Sequence, residues 1–395
     1  MKNFFKNNQK NIWFWLFLAL TSATLIAMPI MSKTAGNSGD EDGFQIPQGK
    51  NVVNYYKTDG QDTTCMSFKN LKYYGSSFDV AAEYTNEFFD IENISESRHI
   101  FNSLLGWIAI LFVSLAAYEL GGGFRSAVIA VLLMFFSPRF LGHSLNNPKD
   151  IPFAAAIIGA VYGMIIFFKQ FPKVKWYTYV ILVLSIALSI STRAGGLILY
   201  GYFGLFGLIY IIKSAKRSKN EISTKKRQTE NNIWKQLGLM ILMGLGICVI
   251  GFFLGLILWP YAMQAPINHT IESFKAMSNF DTALRQLFEG SLQWSDALPW
   301  YYTPKYILMT IPIAVIVGLV LFFVFCWRKK EDRFWSFIIF FTFFFPVFWI
   351  VYTHANVYGG WRHAMFAYPP MVVAAALGFE GLLKWVEKKI SPCSR

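Results

Sequence analysis

Long apolar runs alternate with short polar stretches along almost the whole chain. A helix that crosses a bilayer needs about 20 apolar residues at a rise of about 1.5 Å each. About ten segments approach that length: Ile12–Met31, Ile100–Leu120, Ser126–Ser137, Ile151–Phe168, Tyr177–Ile190, Gly195–Ile212, Leu237–Trp259, Tyr306–Trp327, Phe334–Tyr352 and His363–Leu383. The third and fifth are short. The polar stretches after them, from Pro138 and from Ser191, predict helices that stop inside the membrane against a polar cavity. The pattern predicts an all-α integral membrane protein with about ten transmembrane helices. The first run follows Lys2, Lys6 and Lys10, as an h-region would, but it is long for one and has no clear small-x-small cleavage site. It reads as a retained signal anchor.

Lysine and arginine orient the runs. Lys169, Lys173 and Lys175 follow the fourth. Lys213, Lys216, Arg217, Lys219, Lys225, Lys226, Arg227 and Lys235 lie in 213–235. Arg328, Lys329, Lys330 and Arg333 follow the eighth, and Lys384, Lys388, Lys389 and Arg395 close the chain. Ten spans put all of these on one side, which is the cytoplasm by the positive-inside rule, with both termini there. The expected organisation is an N-terminal membrane module 1–212 whose first outer loop is 32–99, a basic cytoplasmic loop 213–235, and a C-terminal membrane module 236–395 with an outer loop 260–305. Within the first outer loop, Ser67–Phe89 carries Leu71, Tyr74, Phe78, Ala81, Ala82, Tyr84, Phe88 and Phe89 at roughly helical spacing. That predicts an amphipathic helix on the membrane surface.

Composition agrees. The 395 residues are 54% hydrophobic and 15% charged, against about 25% charged in soluble domains. This excludes a disordered chain, a coiled coil and an ordinary soluble enzyme. A net charge of +13 would favour nucleic acid in a soluble protein. Here the cytoplasmic Lys and Arg account for it, and no nucleic-acid partner is expected. Cys65, Cys248, Cys326 and Cys393 show neither C-x-x-C nor metal-ligand spacing. There is no P-loop, G-x-G-x-x-G after a strand, H-E-x-x-H or G-x-S-x-G, so nucleotide chemistry has no support.

The outer side holds the unusual chemistry. Asp40, Glu41 and Asp42 are adjacent, which suits a general base or a metal ligand; the same run also reads as a solvated loop. In Asn146-Asn147-Pro148-Lys149-Asp150, Asp150 opens the fourth span, where a helix dipole stabilises a carboxylate and capping is a sufficient reason for it. Lys149, His143 and Arg139 beside it make a mixed-charge mouth that capping does not explain. Arg98, Arg193 and Arg362 oppose the positive-inside trend. Each alone reads as a side chain snorkelling to lipid phosphate. Together, beside acids, they read as a site for an anionic group, because guanidinium grips phosphate through two parallel bonds. Trp300, Tyr301 and Tyr358 fit an interfacial aromatic belt, with sugar stacking as the sharper alternative.

These motifs, in this order, resemble the GT-C membrane glycosyltransferases, especially the family 39-like group around the protein O-mannosyltransferases and the aminoarabinose transferases that modify lipid A. That group carries an Asp-Glu pair after its first span, here Asp40-Glu41, and a second acid opening a later outer-loop helix, here Asp150 in Pro148-Lys149-Asp150-Ile151-Pro152. Tyr358-Gly359-Gly360-Trp361-Arg362-His363 followed by Tyr368-Pro369-Pro370 is similar to its last outer loop and helix, and Leu298-Pro299-Trp300-Tyr301-Tyr302-Thr303-Pro304 also matches. The resemblance runs from about residue 12 to 384. It departs at Asp42-Gly43, where a small or aromatic residue usually follows the pair, and in lacking a large soluble C-terminal domain.

The resemblance implies a GT-C fold in the plasma membrane. Its active site would face the extracytoplasmic side and move a sugar from a polyprenyl-phosphate donor, presented from membrane lipid, to a hydroxyl on a glycan, lipid or protein acceptor. Asp40 is the expected base, with Glu41 and Asp150 orienting it or binding acceptor. Arg98, Lys149, Arg193 and Arg362 form the expected phosphate side. Asp42, His143, Asn147, Trp300, Tyr301, Tyr358 and His363 are the expected acceptor or sugar contacts. No cofactor is assigned. A divalent metal stays open, with only the acid triplet to hold it. The rival class is a transporter or flippase for a lipid-linked or anionic solute, which would use discontinuous helices near mid-membrane. Against it, the chain shows no inverted repeat, and its polar residues gather at one membrane face.

Overall fold

The computed structural model describes residues 8, 10–221, 226–278, 282–327 and 333–390. The apolar runs become helices. The first is α1 (Ile12–Ser32), capped by Asn11, whose side chain accepts from the Trp13 amide at 3.1 Å. A π-helix, Glu41–Gln45, then flows into α2 (Ile46–Lys57). Short α3 (Thr64–Ser67) and a 3-10 turn, Leu71–Tyr73, lead to α4 (Ser77–Phe88). Next come α5 (Ile94–Gly121), α6 (Phe124–Phe135), α7 (Pro138–Asn146), α8 (Asp150–Gln170) and α9 (Trp176–Ile190). A 3-10 turn, Ala194–Leu197, opens α10 (Ile198–Glu221), which is followed by α11 (Lys226–Leu256), α12 (Pro260–Gln264) and α13 (Pro266–Ser278). An antiparallel hairpin, β1 (Arg285–Phe288) and β2 (Ser291–Trp294), sets Leu287 opposite Leu292. The chain ends in α14 (Tyr302–Thr310), α15 (Ile313–Phe325), α16 (Arg333–Tyr352), a 3-10 helix Arg362–Ala367 and α17 (Tyr368–Ile390).

Among the described residues, seven helices are long and apolar enough to cross a membrane. Counting each of two bent pairs as one span makes nine. The pair α6 and α7 bends by 70° at Ser137-Pro138, and α14 and α15 bend by 109° at Ile311-Pro312. The residue before a proline is driven out of the helical region, and Ile311 is extended at φ −84°, ψ 149°. The expected continuous run Tyr306–Trp327 is therefore two helices. α9 is apolar but only 15 residues long.

Two further expectations change. Of the expected loop 213–235, residues 213–221 continue α10 and 226–235 belong to α11, while 222–225, and so Lys225, lie outside the described residues. Lys2, Lys6, Arg328, Lys329, Lys330 and Arg395 also lie outside them. The surface helix expected over Ser67–Phe89 is shorter, spanning Ser77–Phe88. It buries Asp79, Glu83 and Asn86 together with Phe78, Val80 and Ala82, while Tyr84 and Phe88 are exposed, so its protein-facing side mixes polar and apolar residues.

α8 lies at the centre, with 94% of its apolar window buried, against 22% for α1 and α11 at the rim. Apolar on every side, it suits a position surrounded by other helices. α15 and α17 pack through small residues, which let two backbones approach closely. A Cβ at Gly378 would lie 2.1 Å from the Gly318 carbonyl oxygen. At the end of the bundle where α5 gives way to α6, Arg125 holds Glu380 at 2.9 Å.

Gly378→Val should force α15 and α17 apart. The expected loss is about 1–3 kcal/mol or more, the usual scale of overpacking, read as earlier thermal unfolding in detergent. Gly246→Ala, at a position with nothing within 4 Å, should leave the transition in place or raise it slightly.

Candidate active site

The loop after α1, the starts of α4 and α5, the α7–α8 junction, the turn after α9 and the 3-10 helix before α17 meet at one end of the bundle. Two ionic clusters form there.

The first is buried. Arg98, 1% exposed, lies between two acids: its Nε donates to Glu41 Oε1 at 3.3 Å and its Nη2 to Asp79 Oδ1 at 2.6 Å. His99 Nε2 lies 2.9 Å from Glu41 Oε2. Lys149 Nζ donates to Asp79 Oδ2 at 2.9 Å and to the Gly75 carbonyl at 3.3 Å. Burying isolated charges costs several kcal/mol each. Here every carboxylate oxygen of Glu41 and Asp79 has a nitrogen partner. Burial pushes the Asp79 carboxyl up, but the charges of Lys149 and Arg98 outweigh it and hold the group below its ordinary value.

Local structure sets these positions. Asp79 sits in the first turn of α4 and Arg98 one turn into α5. Glu41 opens the π-helix, where its carbonyl accepts from the Ile46 amide. Lys149 reaches Gly75 because α4 starts tight against the turn after α9. A Cβ at Gly75 would fall 2.0 Å from the Ser191 carbonyl oxygen.

The second cluster is more open. Asn147 Oδ1 accepts from the Asp150 amide at 3.1 Å, and its Nδ2 donates to Asp150 Oδ2 at 2.8 Å, a reciprocal cap that fixes the carboxylate. Asn147 Nδ2 also lies 2.9 Å from His143 Nδ1. Arg193 pairs with Asp150 Oδ1. Arg362 pairs with Asp40 Oδ2 at 3.0 Å, and its guanidinium lies 4.7 Å from the Tyr358 ring centre. The His363 ring meets Tyr358 edge-on at 4.6 Å. Arg139 reaches the Gly359 carbonyl and lies over Trp361. Asp150 interacts electrostatically with Arg139, Arg193 and Arg362. The Nε of each of these three arginines is buried without a hydrogen-bond partner among the described residues. An unpaired buried donor costs about 1–3 kcal/mol, and three lie together here. Tyr74 also feels Arg193, Tyr358, Asp150 and Arg362, and burial pushes its hydroxyl pKa up, so it stays a neutral donor.

Most of the sequence-predicted residues thus converge, but their environments separate them. Glu41, Arg98 and Lys149 are committed to the buried cluster, whereas the Asp40 side chain is 50% exposed. Asp42 turns aside to Asn37 Nδ2 at 2.9 Å. Trp300 is 64% exposed and Tyr301 hydrogen-bonds Glu289 at 3.2 Å. Both stand with the hairpin, which meets the 358–362 turn through Gln286 and through Tyr302, whose hydroxyl accepts from the Gly360 amide at 3.1 Å. The side chains of the acid triplet go to Arg362, to Arg98 with His99, and to Asn37, and among the described residues no three His, Cys, Asp or Glu side chains gather. Asp79 and Tyr74 were missed. An acid in a first helical turn is an ordinary dipole preference, and nothing in the sequence pairs Asp79 with Arg98.

The fold is that of the GT-C membrane glycosyltransferases, and the chain is a multi-pass membrane protein. The sequence model of the dolichyl-phosphate-mannose-protein mannosyltransferases matches residues 69–262. Among solved structures, the chain is similar to the archaeal oligosaccharyltransferase AglB from Archaeoglobus fulgidus in complex with an inhibitory peptide and a dolichol-phosphate. The TM-score is 0.57 at 12% identity, over 98% of this chain and 53% of that one. The Archaeoglobus fulgidus oligosaccharyltransferase tethered with an acceptor peptide containing the NVT sequon gives 0.54 at 13%, over 98% and 52%. ArnT from Cupriavidus metallidurans bound to undecaprenyl phosphate gives 0.40 at 14%, over 96% and 80%. The chain spans about half the length of the oligosaccharyltransferase. No curated protein matches it by sequence.

Asp79→Asn should destabilise the protein by about 3–5 kcal/mol, the usual result of leaving one partner of a buried pair uncompensated. Because the folded carboxyl is held below its ordinary value, its contribution is present above about pH 4, where the unfolded group ionises, and fades as pH falls from there through the lower folded value. The gap in thermal stability between wild type and Asp79→Asn should therefore be constant from pH 7 to pH 5 and narrow only below about pH 4.

Proposed function

We propose that this site transfers a sugar from a polyprenyl-phosphate donor to an acceptor hydroxyl on the extracytoplasmic face of the plasma membrane. The observation that carries this reading is the set of unpartnered guanidinium Nε donors on Arg139, Arg193 and Arg362, beside a carboxylate, Asp40, that is open to solvent. The lipid-phosphate donor named by the matching family and the dolichol-phosphate and peptide in the archaeal enzyme's complex support the same donor class and a separate acceptor site. Whether the acceptor is a glycan, a lipid or a protein, the site asks only for a hydroxyl.

The reaction is a displacement at the anomeric carbon. The bond from that carbon to the phosphate oxygen breaks, a bond to the acceptor oxygen forms, and the acceptor proton passes to Asp40. The departing lipid phosphate goes from one negative charge to nearly two, and the arginines stabilise that gain. Arg362 has a double part. Without donor it neutralises Asp40; a phosphate competes for the same guanidinium and frees the carboxylate to act as base. Asp150, fixed by Asn147, orients Arg193. Arg98, Lys149 and Glu41 act from beneath as positioning residues, because Arg98 is paired with Glu41 and Asp79, and Lys149 with Asp79. Tyr358 and His363 offer a ring wall to the sugar. The bends at Ser137-Pro138 and Ile311-Pro312 are what a transporter would share, yet the polar groups gather at the bundle end rather than at mid-depth. Lys169, Lys175, Lys213, Lys384 and Lys388 lie towards the other end of the helices, which supports an extracytoplasmic site.

Label transfer from polyprenyl-phosphate sugars by the purified protein in lipid nanodiscs tests this. Asp40→Asn should lower kcat by about 10²–10⁴-fold with the donor KM kept. Arg193→Lys and then Arg193→Ala should raise donor KM and lower kcat in growing steps, since the phosphate is charged before and more charged during reaction. A donor KM unmoved by both Arg193→Ala and Arg362→Ala would remove the phosphate role and leave these arginines as lipid-headgroup contacts.

A further inference from the structure

Helix α13 is built inside out for a soluble element. The side chains it buries are Thr270 and Ser273, and its large apolar side chains, Ile267, Ile271 and Phe274, are 67%, 45% and 43% exposed. With about 3.6 residues per turn these three form one stripe. Asn268, Glu272 and Lys275 form a second exposed stripe about 100° round the helix. Thr270 and Ser273 lie about 100° to the other side. The helix thus has a protein-facing stripe, an apolar stripe and a polar stripe in that order.

Its place in the fold is set by polar contacts. Tyr73 and Tyr261 both donate to Glu272, at 3.2 and 2.6 Å. The His269 ring stacks on Tyr261 at 4.1 Å and meets the Tyr261 carbonyl at 2.7 Å. The buried side packs on the turns Leu71–Tyr73 and Ala194–Leu197. The second of these turns follows directly on Arg193.

We propose that α13 is a membrane-surface helix whose apolar stripe rests in bilayer lipid, fixing the depth of the candidate site at the headgroup level. The occupant is argued from continuity. Val249, Ile250 and Phe253, 51%, 59% and 55% exposed, lie on the outward side of α11, Ile257, 48% exposed, comes just past its end, and Met263, 49% exposed, follows in α12. The apolar surface therefore runs from a membrane-crossing helix onto α13. An apolar stripe beside a charged one is the pattern of a helix lying in the interface plane. Held this way, the helix sets Arg193 where a lipid-borne phosphate resides.

Nitroxide labels decide the matter. Single cysteines, Ile267→Cys, Ile271→Cys, Phe274→Cys, Asn268→Cys and Lys275→Cys, are placed in full-length protein whose native cysteines are changed to serine, and the protein is reconstituted in nanodiscs. All five sites are exposed, so the fold should tolerate them. Collision rates with oxygen and with a water-soluble nickel chelate are compared. The oxygen-to-nickel ratio should be several-fold higher at 267, 271 and 274 than at 268 and 275. Equal ratios on both stripes would place the helix in water and overturn the proposal. Protection of 267, 271 and 274 from both probes would show a protein partner covering them, and would overturn it equally. Neither result depends on sugar transfer, so the proposal and the catalytic reading can fail separately.

Discussion

The guanidinium of Arg98 is the point on which the end of the bundle depends. It comes from a membrane-crossing helix and holds Glu41 of the loop after α1 and Asp79 of α4 at the same time. One guanidinium thus ties two separate segments to a third. A buried charge pair has a narrow range of acceptable geometry, because leaving any member unpaired is far more costly than the pairing is favourable. The cluster therefore acts chiefly as a positional constraint. Asp79 then passes the constraint to Lys149, and the backbone passes it to Asp150.

That arrangement separates charges paired inside the buried cluster from charges in the more open one. Glu41 and Asp40 are neighbours in sequence, yet one is sealed under Arg98 and His99 while the other is half in solvent against Arg362. Lys149 and Asp150 are neighbours too, and both are largely buried, but Lys149 pairs with Asp79 while Asp150 pairs with Arg193. In each pair of neighbours one residue joins the Arg98–Asp79 cluster and the other joins the second one. In the open cluster three arginine Nε donors have no acceptor among the described residues, which is the feature the proposed donor-phosphate role rests on.

The breaks in the helices serve the same end. Pro138 and Pro312 stop runs that would otherwise continue, and the freed segments turn towards the site: α7 delivers His143 and the approach to Asn147, and α14 delivers Tyr302 against the 358–362 turn. Irregular backbone at such depth is tolerated where protein or a polar cavity satisfies it. Asn102 does this for α7, donating to the carbonyls of His143 and Ser144 at 3.0 and 2.9 Å.

Sequence alone determined the membrane class, the position of every apolar run and the residues with unusual charge, because hydropathy and the cost of charge near lipid are local properties. It also singled out Asp40, Asp150, Arg193 and Arg362, which do converge. It did not separate Glu41 from Asp40, since adjacent acids look alike until burial divides them. It placed Arg98 and Lys149 with the phosphate groups because their partner, Asp79, looks like a common first-turn acid in α4. It put the surface helix at Ser67–Phe89, where the buried side turned out to mix polar and apolar residues, and passed over Pro266–Ser278, where the large apolar side chains are exposed. An amphipathic pattern states that a helix has two unlike faces; which face meets protein depends on a partner dozens of residues away. Ion pairing and the facing of helices are relations between distant segments, and only the tertiary structure decides them.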